Sequence, residues 1–184
     1  MHNIKFLLPI FLLISCQPPA EINKYLPPSN EDQFQSNITI KKGFNDLWMT
    51  LVMDLSESFK LSSKDINLGE IIFNFDTEEA DKYINCGMMN DEIYVNYIDR
   101  IFESSLDANI HLQLEAINEN ETKVNVTVKY KFISKETGTR WSFKTNKSKS
   151  ILVGNPAYGA DPYRECKSKN FLEAAVIKKI SAVE

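Results

Sequence analysis

Within residues 108–132 apolar and polar side chains alternate so regularly that only paired strands can use the pattern. The apolar members are Ala108, Ile110, Leu112, Leu114 and Ala116 in one run and Val124, Val126, Val128, Tyr130 and Phe132 in the next. A period of two sends successive side chains to opposite faces of a strand, whereas a helix would scatter the same residues around its axis. Asn118-Glu119-Asn120-Glu121 separates the runs with turn-forming residues. The hairpin predicted here has one buried and one solvated face, so the buried face needs an apolar cover.

Two segments can supply it. Phe44, Leu47, Trp48, Leu51, Val52, Leu55 and Phe59 recur at spacings of three and four, which predicts a helix of about four turns. Asn45 and Asp46 sit in its first turn, where capping or negative side chains are favoured. Near the end, Asn170-Phe171-Leu172-Glu173 has the form of a capping box, and Phe171, Leu172, Ala175, Val176, Ile180 and Val183 mark a closing amphipathic helix. Further strands are expected at Ile38-Thr39-Ile40, over 69–75 with Ile71, Phe73 and Phe75 on one face, over the β-rich stretch 93–102, and over 140–144 with Trp141 and Phe143. Residues 76–81 read as an acidic loop, and 154–163, dense in Gly, Pro and Asn, as another. The expected fold class is α+β: an antiparallel sheet of about five to seven strands packed against a long N-terminal-side helix and a C-terminal helix. It forms a single domain over 38–184.

The first 16 residues carry one positive side chain, Lys5, then an apolar run over 6–14, then Ser15 and Cys16. That run is too short for a bilayer span of about 20 residues and suits the core of a signal peptide. Its end, Leu13-Ile14-Ser15-Cys16, resembles the lipobox of bacterial lipoprotein precursors. The resemblance implies that 1–15 is a lipoprotein signal peptide and that Cys16 becomes a lipid-modified first residue. Gln17 stands where an aspartate would signal inner-membrane retention, so the expected place is the outer membrane, with the domain facing the periplasm. The first partner implied is thus the membrane, through the lipid anchor, and two or more acyl chains hold stably. Residues 16–37 join anchor to domain. With two Pro-Pro pairs and no apolar periodicity they read as a disordered tether, the alternative being an extended arm that packs through Tyr25, Leu26 and Phe34.

Composition removes several functions. A net charge of -4 and a sequence pI near 5.3 are not those of a nucleic-acid binder. Without Lys5 the balance is 20 basic against 25 acidic side chains, so anionic headgroups repel the domain and the anchor must hold it. The only histidines are His2 and His111, and His111 falls on the polar face of its strand beside Asn109, Gln113 and Glu115. No nucleophile elbow, paired acid and base or metal-ligand spacing stands out, and Asp76, Glu78, Glu79 and Asp81 lack the pattern of a calcium loop. The chain is read as a non-enzyme without a cofactor or metal.

With Cys16 committed to lipid, Cys86 and Cys166 remain as an even pair in an oxidising compartment, and a structural disulfide is expected. It would join the loop after an early strand to the lead-in of the last helix. The loop bearing Tyr158, Tyr163 and Arg164 would then lie beside Met88 and Met89, a combination suited to a partner-binding surface. Arg140, Lys144, Lys147 and Lys149 form a basic patch that reads as a solvated edge. The element order, the Phe44-Asn45-Asp46-Leu47-Trp48 start of the first helix and the Cys166-bearing lead-in to the last resemble the helix-grip domains of envelope lipoproteins, such as the C-type lipoprotein of the outer-membrane β-barrel assembly machinery. The expected function is a membrane-anchored, non-enzymatic lipoprotein whose domain binds an envelope protein or serves as an accessory scaffold. The alternative is a carrier of an apolar small ligand or lipid between sheet and helix.

Overall fold

The long hairpin forms where the alternation places it. In a computed structural model, which describes residues 23–29, 33–135, 137–153 and 161–183, its strands are Ser104–Asn118 and Glu121–Ser134, paired antiparallel from Ser104↔Ser134 to Asn118↔Glu121. Leu106, Ala108, Ile110, Leu112 and Leu114 meet Val124, Val126, Val128, Tyr130 and Phe132 on the buried face. Each large side chain of that set contributes about 1.5–3 kcal/mol when withdrawn from water.

Numbered in chain order, the strands are β1 (Tyr25–Leu26), β2 (Asn37–Ile40), β3 (Lys60–Asp65), β4 (Glu70–Thr77), β5 (Ile84–Asn85), β6 (Met88–Met89), β7 (Glu92–Ile93), β8 and β9 (the hairpin), β10 (Arg140–Lys144), β11 (Lys149–Leu152) and β12 (Tyr163–Ser168). The helices are α1 (Phe44–Ser56), α2 (Tyr94–Phe102) and α3 (Phe171–Ser181), with one 3₁₀ turn at Ala80–Lys82. The main sheet runs β3-β4-β8-β9-β10, and β2 pairs with the first half of β9 while β10 takes the second half. Two small sheets, β1-β6-β7 and β11-β12-β5, sit beside it. All these pairings are antiparallel, so the molecule is α+β, as the alternation and the two apolar stripes predict.

The helices share the buried face of the main sheet, α1 against β3, β8 and β9, α2 against β8 and β9, and α3 against β2, β9 and α1. Leu47, Trp48, Leu51 and Leu55 of α1 and Leu172, Val176 and Ile180 of α3 are the buried stripe. Gly69 fixes the β3–β4 turn to β8. Its φ is +65°, Leu114 N–H donates to its carbonyl at 2.8 Å, and a Cβ there would lie 2.3 Å from Leu114 O.

Four expectations change. Helix α1 stops at Ser56, and Phe59 instead places its ring against Phe73 and Phe75 at the edge of the sheet. The stretch 93–102 is mostly helix: among the described side chains Tyr94, Val95 and Ile98 are buried, at spacings of one, three and four that only a helix brings to one side. The capping box is not formed, because Asn170 adopts φ +60° without a side-chain cap and Glu173 turns into the core. Within the stretch expected as a tether, β1 pairs with β6, and Asn146 clasps the backbone of Phe34 through two hydrogen bonds of 2.8 Å. Residues 1–22, with the signal peptide and Cys16, and 154–160, with Tyr158, lie outside the described residues.

Candidate functional site

The two remaining cysteines form the expected disulfide, Cys86–Cys166, with both residues fully buried. It joins β12 to the turn between β5 and β6, next to the Lys167↔Asn85 and Ser168↔Ile84 pairs. Sheet β11-β12-β5 is thereby tied to the root of sheet β1-β6-β7.

Tyr25 is seated on this junction. Its hydroxyl accepts from Glu165 N–H at 2.9 Å and lies 3.0 Å from Cys86 O and 3.2 Å from Glu165 O, so the phenol bridges the chain on both sides of the disulfide. Its ring meets Tyr94 edge-on at 5.8 Å, and the Arg164 guanidinium covers it 4.4 Å from the centroid. Gly87 makes room: at φ +78°, a Cβ would lie 2.1 Å from Leu26 O and 3.1 Å from the Tyr25 ring. Asn90 completes the seat, accepting from Lys24 N–H at 2.9 Å and donating to Asn23 Oδ1 at 2.8 Å.

Arg164 is only 6% exposed. It donates to the carbonyls of Tyr163 and Asp161, and its own carbonyl accepts from Trp141 Nε1 at 3.2 Å. Among the described residues no carboxylate lies within ion-pair distance of it, and its Nε has no hydrogen-bond partner. The rings of Tyr25 and Tyr94 therefore stand in for a counter-ion, an arrangement that strengthens when desolvated. Burial pushes the Tyr94 phenol up to about 12 and raises that of Tyr25, with Arg164 opposing both shifts.

The residues expected to form a partner surface thus divide. Met89 is buried under the small sheet and Arg164 is spent on the arm, so neither is available to a partner. Met88 is exposed, and so is Tyr163 at 54%. Tyr163 pairs with Leu152, which is exposed along with Val153. Leu26, Ile93, Leu152 and Val153 were not among the residues expected to form a partner surface. The apolar content of 152–153 was a signal, whereas the register that places Leu26 and Ile93 beside Met88 was invisible in so short a pair of strands.

A buried polar cluster around Glu173 escaped the sequence reading. Glu173 is fully buried and accepts from Tyr130 Oη at 2.7 Å, Thr145 Oγ1 at 2.9 Å and Ser168 Oγ at 3.0 Å. The signal was its place on the apolar stripe with Val176 and Ile180. Burial first, and the Glu173 carboxyl next, raise the Tyr130 phenol. The cluster joins β9, the turn after β10, β12 and α3, and its burial suits it to holding elements together.

On the solvated sheet face, Lys144 and Lys147 join Lys129, Lys131, Asp76 and Asp107 around an open hollow of about 800 Å³, while Arg140 and Lys149 stand apart from it. His111 Nδ1 lies 3.4 Å from Glu70, and burial together with Lys129 lowers its pKa against the pull of Glu70. Among the described residues no group of three or more His, Cys, Asp or Glu is placed to hold a metal, and no helix is long and apolar enough to cross a membrane. The chain matches no known family model and no curated protein.

Proposed function

We propose that this chain is a membrane-anchored envelope lipoprotein, held at the outer membrane by lipid on Cys16, whose helix-grip-like domain faces the periplasm and works without catalysis as a protein-binding or accessory scaffold module. The anchor rests on the Leu13-Ile14-Ser15-Cys16 motif behind its apolar run. The observation that carries the binding role is the exposed group Leu152, Val153 and Tyr163 on the disulfide-braced β11–β12 pair. β11 ends its sheet, so a partner's extended segment can pair with its backbone and pack on those side chains. An apolar ligand between sheet and helix would have to displace Leu47, Trp48, Leu51 and Leu112, all buried there, which favours the binding module over the carrier.

Crosslinking of the tagged, lipidated protein in intact cells tests this. One envelope protein should be captured by the parent chain and lost from a Leu152→Ser/Tyr163→Ala variant that retains the fold. Equal capture by both, or a lipid or other small molecule retained through purification in place of a protein, would overturn the binding role.

A further inference from the structure

Sheet β1-β6-β7 has two unlike faces. Tyr25 and Met89, register partners, turn inward. Leu26, Met88 and Ile93, also partners across the three strands, turn outward at 42%, 37% and 40% exposure. The solvated face of a small antiparallel sheet ordinarily carries polar residues. Here its whole cross-strand row is apolar.

The arm that supplies Leu26 is also the one that leads toward Cys16. Free of the domain, the 21 residues that follow Cys16 as far as Asn37 would reach about 70 Å when extended. With Tyr25 seated between Arg164, Tyr94 and Gly87, only seven residues lie between Cys16 and Lys24, a reach of about 27 Å over the eight steps. Docking of the arm thus shortens the leash by more than half and keeps sheet β1-β6-β7, which the arm joins, within that reach of the anchor.

We propose that the outer face of sheet β1-β6-β7 rests on the lipid surface, with Leu26, Met88 and Ile93 in the interfacial layer and the seated Tyr25 holding the domain in that orientation. This rests on the anchor at Cys16 proposed above. The acidic domain gains little from headgroup attraction, so the contact is made by apolar side chains and maintained by the anchor. It leaves Leu152, Val153 and Tyr163 as a separate surface for a protein.

The test places a photoreactive amino acid at Met88, or at the exposed Met53 of α1 as the control, in the full-length chain in its own membrane. Phospholipid adducts should form at Met88 and not at Met53. They should be lost with Tyr25→Ala, and also with Leu26→Ser/Ile93→Ser, whose exposed positions leave the fold unchanged by circular dichroism. Protein adducts at Met88 in place of lipid, equal lipid labelling at both positions, or labelling unaffected by Tyr25→Ala would overturn the proposal while acylated Cys16 remained in the same sample. An N-terminal peptide without acyl chains would remove the anchor, and the proposal with it.

Discussion

At the scale of single residues, two buried ionisable side chains, neither in an ion pair among the described residues, organise the molecule. Glu173 accepts from three hydroxyls, and Arg164 faces two rings and donates to backbone carbonyls while its Nε has no hydrogen-bond partner. Removing a buried acceptor strands its donors, each at a cost of about 1–3 kcal/mol. Glu173→Ala should therefore lower unfolding stability by about 3 kcal/mol or more, and Tyr130→Phe, which withdraws one donor, by about 1 kcal/mol, as read from urea denaturation. Neither residue type announces this from sequence. Glu173 fits a capping box as well as a core position, and only the neighbouring strands decide between them.

Tyr94 sets an alkaline limit on stability. Its folded pKa is raised from 10.0 to about 12, so the folded state keeps a proton that the unfolded chain releases. Its contribution is fully present below pH 10 and is lost as pH rises from 10 to about 12. Unfolding midpoints should be level from pH 7 to 9 and fall beyond 10. Absorbance at 295 nm should show part of the tyrosine population ionising only as the protein unfolds. A flat stability curve through pH 12 would contradict this.

At the scale of elements, legibility followed length and regularity. β8 and β9 repeat their alternation often enough to be read without ambiguity, and the stripe of α1 likewise. The α2 segment was misread because Ile93, Tyr94, Val95, Tyr97 and Ile98 are residue types that favour strands, while the spacing of Tyr94, Val95 and Ile98 favours a helix, and packing decides for spacing. β3 carries one apolar side chain in Lys60–Asp65 and exists by pairing with β4. β1, β5, β6 and β7 have two residues each, too few for a pattern. The candidate surface was legible only as far as the disulfide, since Met88 against Met89 and Tyr163 against Arg164 are separated by which face of a strand each takes.

The disulfide gives this scale its prediction. It closes a separation of 80 residues, which in the chain-entropy account is worth about 4.5 kcal/mol. Cys86→Ala/Cys166→Ala should lose about that much in denaturant titration. Hydrogen exchange should also quicken locally at Tyr25–Leu26 and Met88–Met89, because Tyr25 is bonded to the backbone at Cys86 and Glu165. Uniform loss without that local change would show that the arm is held independently of the bridge.

At the scale of the whole molecule, the main sheet divides labour between its faces. One carries α1, α2 and α3 and the core, and the other is a polar surface with a lysine-lined hollow. The two small sheets beside it each carry one group of exposed apolar side chains, one on the arm side and one on the β11 side. In the proposed arrangement the first meets lipid and the second meets protein, so the domain joins a partner to the membrane without a reaction of its own.

Everything in that arrangement depends on Cys16, and the mass of the N-terminal peptide of protein purified from membranes tests it most directly. The account predicts a chain that begins at Cys16 and carries acyl chains there, with Cys16→Ser leaving the leader uncleaved and the lipid absent. An unmodified Cys16, or a chain retaining residues 1–15 in the parent protein, would contradict it.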